Sequence, residues 1–568
     1  ECCRESGENT IGMVAWRVKL RTPEFPGGRT IYVLANDITV LSGSFAVQED
    51  LLFQKVSELA RSEGAPRIFL SANSGARLGL DDLLKRSFNV KWKDREDLSR
   101  GFEYLYLTTK QMESMPQDVV SGHWVEDPEL GESVFVLDGI IGAQDEIGVE
   151  NLCGSGLIAG ETSRAYREGF TLSYVTGRTV GIGSYLVRLG QRCIQNSSHP
   201  IILTGAPALN KVLGREVYRS NNEIGGTRIM FGNGVTHLVV SDDFQGVLEI
   251  LQWLSFVPER AGGPPSVLPI SDPVDRPVDF CPEMEAEGPI DVRWLLAGKT
   301  MENGTWCSGF FDRGSFKEYC AGWARNIVGG RARLGGRAVG VIAVETRMVH
   351  SWEPADPADP LSTERNVQKA GQVWFPDSAF KTAQFIQDFN HGEELPLFIF
   401  ANWRGFSGGR RDMFDEILKF GSMIVDNLVD YQHPIFVYIP PMAELRGGAW
   451  VVVDSSINKS RIEMYSDPTA RGGILEPEGV VEIKFRDRDL IHTMHRLDPT
   501  CIRLRERIQA AGGNPPSDVV ESLRQQEKVL LPVYRRVAVS FADLHDTPIR
   551  MKAKGLNDKD THTHTHTH

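Results

Sequence analysis

One structural unit occurs twice in this chain, and this duplication limits the folds that it can adopt. The first copy begins with the turn TGRTVGIG at residues 176–183, continues through a helix-like stretch and ends in the apolar segment 199–205. The second copy begins with ANWRGFSGG at residues 401–409 and ends in 433–439. Each copy reads as an apolar strand, an arginine in a glycine-bearing turn, a helix and a second apolar strand. This alternation favours an α/β fold with two related halves.

The two turns predict two places where negative charge is held. A glycine turn that enters a helix presents backbone N–H groups at the positive end of the helix dipole. Arg178 and Arg404 stand inside these turns and add one side-chain cation to each. Such an arrangement suits a reaction that passes through two oxyanions.

The chain length and one proline-rich stretch predict the domains. A chain of 568 residues is too long for a single hydrophobic core. Prolines concentrate between about Pro258 and Pro282, where neither a helix nor a sheet interior can continue, so this stretch reads as a linker. We therefore predict an N-terminal domain over 1–272, a C-terminal domain over 273–560, and a Thr/His tail or tag at 561–568.

Composition argues against several classes of function. The net charge of −13 is unusual for a general nucleic-acid binder, which is normally basic. No apolar run approaches the roughly 18 residues that a membrane helix needs. The eight cysteines are scattered without C-x-x-C spacing, which is typical of reduced thiols and predicts no metal site. The chain begins with Glu1 rather than Met, so we expect a piece of a longer polypeptide.

Five segments carry predictions of local structure. Apolar residues at helical spacing predict a helix over Leu186–Cys193 and another over Met413–Leu428. Trp450–Asp454 and Val480–Arg486 read as strands because they are rich in β-branched residues. The polar stretch Cys501–Tyr534 reads as a peripheral helix or helix pair with solvated charges.

The predicted strand at 480–486 places Lys484 and Arg486 on one face, since side chains in a strand alternate with a period of two. Such a pair can bind phosphates, the arginine through two hydrogen bonds and the lysine as a point charge. A surface strand with solvated charges fits the same pattern, so the pattern leaves both interpretations open.

No familiar set of catalytic side chains is present. The sequence lacks H-E-x-x-H, a Walker loop and a Cys–His signature. Glycines instead gather beside the ends of apolar strands, among them Gly181, Gly408 and Gly409. Backbone N–H donors stabilise an enolate or a similar oxyanion as its charge develops. We therefore predict a site built mainly from backbone amides.

Long motifs in this order resemble one known family. They are SANSGAR at 71–77, ENLCGSGLIAG at 150–160, ILTGAPALNKVLGREVY at 202–218, GQVWFPDSAFKT at 371–382, ANWRGFSGG at 401–409, ELRGGAWVVVD at 444–454 and FADLHDTP at 541–548. Together they resemble the carboxyltransferase domain of eukaryotic multidomain acetyl-CoA carboxylases, from about Ile11 to Gly555. One departure is Cys153, which stands where a basic residue is common in fungal and animal relatives.

The resemblance implies a fold and a reaction. The implied fold is a biotin-dependent carboxyltransferase with two crotonase-like subdomains of ββα superhelix type. The implied reaction transfers carboxylate from carboxybiotin to acetyl-CoA and gives malonyl-CoA, the first committed step of fatty acid synthesis. Both steps place negative charge on a carbonyl oxygen, in agreement with two sets of backbone amides.

The resemblance also implies partners. Biotin is not attached to this chain, and carboxybiotin is delivered by a carrier domain that a biotin carboxylase domain serves, both in the same parent protein. The family forms a head-to-tail homodimer, with the active site between the N-subdomain of one protomer and the C-subdomain of the other. The implied location is cytoplasmic, or plastid if the parent carries a transit peptide.

Site residues follow from the matching motifs. Arg404, Gly408, Gly409 and Gly181 resemble the catalytic positions, and Arg178, Lys484 and Arg486 resemble the coenzyme A contacts. The positions that line the substrate and inhibitor pocket of the family correspond to Leu152, Tyr185, Trp374, Phe406, Ile417, Val451 and Ile474.

Two other functions stay open at the level of sequence. One is a carboxyltransferase for propionyl-CoA or another acyl-CoA, which keeps the reaction class and enlarges the pocket. The other is an inactive scaffold that binds coenzyme A within a larger carboxylase. The presence of Arg404 and the intact glycine turns argue against the scaffold.

Overall fold

The computed structural model describes residues 8–270, 272–273, 275–278 and 289–556, and the backbone of 559–560. The chain divides into two compact units. Unit 1 comprises Glu1–Ser255, Glu259–Gly263 and Pro357–Pro360, and unit 2 comprises Phe256–Pro258, Pro264–Asp356 and Leu361–His568. The domain boundary at 272/273 stays a prediction, and the tail at 561–568 lies outside the described residues.

Unit 1 is built on a six-stranded sheet in the order β1-β2-β3-β8-β10-β12, beside a four-stranded sheet in the order β4-β5-β7-β6. The strands are β1 (Met13–Thr22), β2 (Phe25–Asn36), β3 (Arg67–Ser71), β4 (Asn89–Trp92), β5 (Phe102–Thr108), β6 (Val120–Asp127), β7 (Glu132–Ile140), β8 (Thr171–Val175), β9 (Thr179–Val180), β10 (Arg192–Asn196), β11 (Ile201–Ile202) and β12 (Leu238–Val240). The helices are α1 (Val47–Glu63), α2 (Asp82–Ser87), α3 (Thr109–Ser114), α4 (Val149–Glu168), α5 (Ile182–Leu189), α6 (Ala206–Leu213), α7 (Asn221–Gly225), α8 (Thr227–Met230) and α9 (Asp243–Phe256).

Unit 2 is built on a seven-stranded sheet in the order β15-β16-β17-β21-β23-β25-β27. The strands are β13 (Lys299–Thr300), β14 (Trp306–Cys307), β15 (Lys317–Tyr319), β16 (Ile327–Leu334), β17 (Arg337–Val344), β18 (Val349–Glu353), β19 (Arg365–Lys369), β20 (Val373–Trp374), β21 (Leu397–Phe400), β22 (Gly405–Phe406), β23 (Ile435–Ile439), β24 (Glu444–Arg446), β25 (Ile462–Ser466), β26 (Arg471–Gly473) and β27 (Lys559–Asp560). The helices are α10 (Val292–Ala297), α11 (Pro376–Asn390), α12 (Arg410–Phe414), α13 (Ile417–Val429), α14 (Gly447–Val451), α15 (Pro477–Lys484), α16 (Asp487–Leu497), α17 (Pro499–Ala510), α18 (Ser517–Asp543) and α19 (Pro548–Ala553).

The two main sheets follow the same path. Each contains an antiparallel hairpin, β1–β2 or β16–β17, which is followed by four strands in parallel. The sheet of unit 2 has one further strand, β15, which pairs antiparallel with β16. The parallel strands β2, β3, β8, β10 and β12 therefore correspond in order to β17, β21, β23, β25 and β27. Parallel neighbours need a crossover, and helices supply it in both units. Short strands accompany the long ones and pair among themselves, as β9 with β11, β20 with β22 and β24 with β26. The repeating element is thus a long strand, a short strand and a helix.

This correspondence changes the alignment of the two arginine turns. Arg178 follows β8, the third parallel strand of unit 1, whereas Arg404 follows β21, the second parallel strand of unit 2. The counterpart of the Arg404 turn is the turn at Asn73, after β3. The counterpart of Gly181 is Gly447, and these glycines stand at helix starts with φ of 55° and 51°. The duplication is present, but the two arginine turns are not counterparts, because they follow different parallel strands of their sheets.

The inner parallel strands of the main sheets are buried on both faces, because helices cover the sheets. Every residue of β8 and of β21 is buried, as expected for covered parallel strands. In unit 1 the core includes Leu34, Phe53, Phe69 and Ile158, which join the sheet to α1 and α4.

Two predicted helices are present with different bounds, and one predicted strand was wrong. The helix predicted over Leu186–Cys193 ends at Leu189, and Cys193 lies in β10. The helix predicted over Met413–Leu428 is two helices, because Glu416 adopts φ of 74° between α12 and α13. The segment Trp450–Asp454 is not a strand, since α14 runs through Val451.

The other strand prediction that was wrong concerns the C-terminal cations. Residues 480–486 form the end of α15 and the start of α16, so the strand face that would join Lys484 to Arg486 does not exist. The β-branched residues that suggested a strand serve packing instead, since Val481 is buried in a small helical core. Helices over Cys501–Tyr534 are confirmed, but Cys501 itself is buried in that core.

Candidate active site

The Arg404 turn begins where β21 leaves the main sheet of unit 2. The N–H of Arg404 donates to the carbonyl of Gln372 at 2.8 Å, and the N–H of Ser407 donates to the carbonyl of Trp374 at 2.8 Å. Between these bonds the short strands β20 and β22 pair in parallel. Both ends of the turn are thus held by one neighbouring segment.

Stacked aromatic rings support this turn from below. The ring of Trp374 lies 3.9 Å from that of Trp403 and 4.8 Å from that of Phe406, measured between centroids. Trp374 and Trp403 are fully buried, and Nε1 of Trp374 donates to Oγ1 of Thr382 at 3.0 Å. Trp374, expected to line a pocket, therefore lies in the core of unit 2. Phe406 is only partly buried.

The Arg404 side chain is held at one nitrogen. Its Nε donates to Oε1 of Glu444 at 2.5 Å, and the side chain is 54% exposed while that of Glu444 is 15% exposed. Its terminal nitrogens have no partner among the residues that the structure describes. The guanidinium therefore has a fixed edge and a free edge, and the free edge can receive a carboxylate.

Two backbone amides near Arg404 are also available. The N–H groups of Gly408 and Gly409 make no hydrogen bond within the described part of the chain. Gly409 stands at the N-cap of α12, and a Cβ built on Gly408 would meet no heavy atom within 4 Å. The space around these amides is open to a ligand.

The Arg178 turn of unit 1 is less constrained. The carbonyl of Arg178 accepts the N–H of Asn73 at 2.7 Å, which fixes its backbone. Its side chain is exposed and has neither an ion pair nor a hydrogen bond among the described residues. The whole guanidinium is available to an anion.

The amide of Gly181 does not face a ligand. Its N–H donates to the carbonyl of Ile202 at 3.0 Å, which joins the start of α5 to β11. The next two amides, of Ile182 and Gly183, have no partner among the described residues and belong to the first turn of α5. A side chain at Gly183 would overlap the amide of Asn73, so the helix start lies close against the preceding turn. The role predicted for this turn stays a prediction, and its free amides belong to Ile182 and Gly183 rather than to Gly181.

The residues expected to line a pocket fall into two groups. In unit 1, Leu152 on α4 and Tyr185 on α5 are exposed. In unit 2, Val451 at the end of α14 and Ile474 after β26 are exposed. Ile417, the first residue of α13, is buried like Trp374 and belongs to the core.

The two C-terminal cations lie at adjacent helix ends. Lys484 is the last residue of α15, and Arg486 is the N-cap of α16, where its N–H donates to Asp489 at 3.2 Å. Both side chains are exposed, and neither forms an ion pair within the described residues. They are available to phosphates, although not through the strand face that the sequence suggested.

Neither metal ligands nor membrane helices are found in the described part of the chain. No group of three or more His, Cys, Asp and Glu side chains there is placed to hold a metal ion. None of the helices there has the length and apolar content to cross a membrane.

A comparison with family models matches this chain to one family. The model described as "Carboxyl transferase domain" covers residues 23–568. This is almost the whole chain and includes both units.

Curated relatives are similar over nearly the same length. The chain is 55% identical over 566 residues to an acetyl-CoA carboxylase of Dictyostelium discoideum, covering 98% of this chain and 24% of that protein. It is 54% identical over 561 residues to an acetyl-CoA carboxylase of Saccharomyces cerevisiae, covering 98% and 25%. It is 54% identical over 557 residues to acetyl-CoA carboxylase 2 of Arabidopsis thaliana, covering 97% and 23%. The chain spans about a quarter of the length of the curated relatives that it matches.

Solved structures with the same fold are also found. Two structures of transcarboxylase 12S match with TM-scores of 0.62 and 0.63 at 17% and 18% identity, each covering 97% of this chain and 79% of that chain. One holds hydrolysed methylmalonyl-coenzyme A, and the other holds methylmalonyl-coenzyme A and methylmalonic acid. At this identity the likeness concerns the fold, and it confirms the predicted α/β carboxyltransferase fold.

Proposed function

Because the chain belongs to the carboxyl transferase family, we propose that it performs the carboxyl-transfer step of an acetyl-CoA carboxylase. In this step a carboxylate moves from carboxybiotin to the methyl carbon of acetyl-CoA and gives malonyl-CoA. The observation that carries the proposal is the identity of 52–55% to acetyl-CoA carboxylases of several eukaryotes over 97–98% of this chain.

Arg404 is proposed to bind the carboxylate that moves. Its free edge can form two parallel hydrogen bonds with a carboxylate, while Glu444 holds the opposite edge in place. Such fixed donors stabilise charge as it develops, because they need no reorganisation during the reaction. The free amides of Gly408 and Gly409 add two donors close in sequence to the same turn.

The free amides at the start of α5 are proposed to bind the thioester oxygen. Removal of a proton from the α-carbon places negative charge on that oxygen. The amides of Ile182 and Gly183 have no protein partner among the described residues, and they lie at the positive end of the α5 dipole. This assignment moves the predicted role of Gly181 to the two residues that follow it.

Three exposed cations are proposed to bind the phosphates of coenzyme A. Arg178, Lys484 and Arg486 have no ion-pair partner among the described residues, so an anionic ligand need not displace one. Exposed cations gain modestly from each phosphate contact, and the contribution falls as salt concentration rises.

The residues near Arg404 also fit biotin. Biotin, when bound as carboxybiotin, supplies the carboxyl group. The unpartnered amides of Gly408 and Gly409 and the open space around Gly408 suit a polar carbonyl of a ring that enters from solvent. These two residues and Arg404 would hold it.

Further parts of the proposal concern partners and location. We propose that a carrier domain and a biotin carboxylase domain of the same parent protein supply the carboxybiotin, since the curated relatives are about four times as long as this chain. A head-to-tail homodimer is proposed from the family resemblance, and exposed apolar residues such as Leu152, Val451 and Ile474 are suited to a protein interface. A cytoplasmic or plastid location stays a prediction.

Biotin-dependent decarboxylation tests the proposed function. The purified chain is incubated with free biotin and either malonyl-CoA or methylmalonyl-CoA, and loss of each thioester is followed with and without biotin. We expect turnover of malonyl-CoA that depends on biotin and exceeds turnover of methylmalonyl-CoA. Preference for methylmalonyl-CoA would assign the chain to propionyl-CoA, and absence of both activities in a confirmed dimer would favour the scaffold.

A further inference from the structure

A network of four alternating charges runs from Arg404 to the last helices of unit 2. Nε of Arg404 donates to one oxygen of Glu444 at 2.5 Å, and Nε of Arg446 donates to the other oxygen at 2.7 Å. Nη1 of Arg446 then donates to Oδ2 of Asp546 at 2.6 Å. Together the two cations and two anions of this network carry no net charge.

Arg446 is the buried cation that joins the two carboxylates of this network. Its side chain is only 2% exposed, and burial alone would lower its pKa, but the hydrogen bonds to Glu444 and Asp546 raise the pKa instead. Its Nη1 also donates to the carbonyl of Leu475 at 2.9 Å. A buried cation that loses one of two carboxylates is drawn more strongly to the remaining one.

Asp546 is placed accurately by its own neighbours. Its carbonyl accepts the N–H of Gly472 at 2.9 Å, which ties the turn after α18 to β26. A Cβ built on Gly473 would lie 2.6 Å from Oδ1 of Asp546. Gly473 does not have positive φ, so its backbone would accept alanine, and the three heavy atoms nearest to the added Cβ all belong to the Asp546 carboxylate.

We propose that Asp546 is a positioning residue for Arg404 and acts through Arg446 and Glu444. The proposal rests on the proposed function, since it gives Arg404 a carboxylate to bind. The motif that contains Asp546, FADLHDTP, lies more than one hundred residues after Arg404 in sequence and has no other role in the site.

The physical basis is competition for Glu444. With Asp546 in place, Arg446 uses one edge for each carboxylate and leaves one oxygen of Glu444 to Arg404. Without the Asp546 charge, Arg446 is drawn to both oxygens of Glu444. Arg404 then loses its fixed edge and samples other rotamers, which reduces the fraction of time in which its free edge is correctly placed.

Two variants displace the Asp546 carboxylate in different ways. Asp546→Asn removes the charge at nearly constant shape, and Gly473→Ala pushes the carboxylate aside and keeps the charge. The matched control is Asp543→Asn: Asp543 accepts from Nε of Arg471 at 2.8 Å and ties the same end of α18 to β26, but it does not lead to Arg404.

The first readout is kinetic. We expect kcat for biotin-dependent decarboxylation of malonyl-CoA to fall about tenfold in Asp546→Asn and Gly473→Ala, with KM within about twofold of wild type. Asp543→Asn should leave both constants within about twofold. In an Arg404→Ala background, Asp546→Asn should cause no further loss, because its effect passes through Arg404. A similar loss in that background would overturn the proposal.

The second readout does not need activity. Phenylglyoxal modifies arginine side chains, and peptide mass spectrometry gives the rate at Arg404 in the folded full chain, with thermal unfolding as the check of folding. We expect Arg404 to react severalfold faster in Asp546→Asn and Gly473→Ala than in wild type or Asp543→Asn, because it is released from Glu444. An unchanged rate in both variants overturns the positioning role.

If wild type does not turn over malonyl-CoA, the proposed function fails while the rate of Arg404 modification still decides the role of Asp546. If Asp546→Asn does not fold, Gly473→Ala decides it.

Discussion

The two units share a scaffold but place their arginines at different steps of it. After the second parallel strand, both units continue with Ala-Asn, at Asn73 in unit 1 and Asn402 in unit 2. Oδ1 of Asn73 accepts the N–H of Val180 at 3.2 Å, and Oδ1 of Asn402 accepts the N–H of Glu444 at 3.1 Å. In each case the asparagine joins the second turn to the third. The scaffold is thus fixed by an amide, and the neighbouring positions are free to carry different chemistry.

The difference lies in how each arginine is held. Arg404 lies on the second turn and meets Glu444 from the third turn of the same unit. Arg178 lies on the third turn, and no acidic side chain among the described residues pairs with it. A fixed arginine suits a reacting carboxylate that must be placed accurately, whereas an unpaired one suits a flexible phosphate ligand. We therefore expect Arg404 to place a reacting group accurately and Arg178 to contribute to binding.

Loss of the fixed arginine should have the largest effect. For Arg404→Ala we expect kcat for biotin-dependent malonyl-CoA decarboxylation to fall by about 10²-fold or more, since it removes a preorganised charge donor. Steady-state kinetics measure it. The control is Arg411→Ala on α12, an exposed arginine that pairs with Asp415 at 2.6 Å and should leave kcat unchanged. Equal losses in both variants would contradict the account.

Loss of the unpaired arginine should change binding. For Arg178→Ala we expect KM for malonyl-CoA to rise about tenfold with kcat nearly unchanged, because a phosphate contact acts equally in the ground and transition states. Arg486→Ala should raise KM by a smaller factor. Arg100→Ala, which removes a surface arginine paired with Asp94, is the control and should not alter KM. An unchanged KM in Arg178→Ala would remove this residue from the phosphate site.

The shared scaffold should respond alike in both units. Asn73→Ala removes the acceptor of the Val180 and Gly75 N–H groups, and Asn402→Ala removes the acceptor of the Glu444 N–H and of Nε2 of Gln372. We expect each change to reduce stability by about 1–3 kcal/mol. Thermal unfolding followed by calorimetry measures the loss, with Asn303→Ala in an exposed turn as a control. A large loss for one asparagine and none for the other would show that the two turns are not equivalent.

In unit 1, the helix pair under the second turn holds a buried carboxyl between α1 and α4. Asp50 on α1 is 1% exposed and has no hydrogen-bond partner among the described residues, and it abuts Gly154 on α4. The corresponding pair in unit 2, α11 with α13, instead joins Asn427 to the carbonyl of Ala383 at 2.8 Å. Burial, with the nearby charge of Glu49, raises the pKa of Asp50 from 3.8 to about 7.

This carboxyl predicts a small, pH-dependent effect. Arg77 opposes the rise in the pKa of Asp50 and Glu146 adds to it. Because the folded pKa exceeds the unfolded one, the folded state binds more protons between about pH 4 and pH 7, so stability falls as pH rises through this window and then levels. Asp50→Asn removes the ionisable carboxyl and, with it, this dependence of stability on pH. We expect its unfolding midpoint, relative to wild type, to rise between about pH 5 and pH 8 by the equivalent of about 1–3 kcal/mol. A constant difference across this range would contradict the assignment.

The sequence determined the α/β class, because buried strands such as Leu397–Phe400 and amphipathic helices such as Ile417–Val429 have distinct periodicities. It could not determine the alignment of the two units, since that depends on which strands are neighbours. The turns at Arg178 and Arg404 look alike in sequence because both combine arginine with glycine, yet they follow different strands of their sheets.

The roles of the candidate site residues stay predictions, and the structure differs from the sequence pattern in where several of them lie. Trp374 and Ile417 lie in the core, which an apolar residue beside a turn cannot reveal by itself. The N–H of Gly181 is used within the fold, and only the pairing of β9 with β11 shows this. Two of the matching motifs contain Glu444, Arg446 and Asp546, but only the fold shows that these side chains meet, because their turns are far apart in sequence.

The most direct test of the different roles of the two arginines is the double variant Arg178→Ala, Arg404→Ala, measured with both single variants in biotin-dependent malonyl-CoA decarboxylation. If one arginine binds the coenzyme and the other holds the carboxylate, the single variants change KM and kcat separately. The loss of kcat/KM in the double variant is then the product of the single losses, about 10³-fold. A double variant no worse than Arg404→Ala, or single variants that change the same constant, would contradict the account.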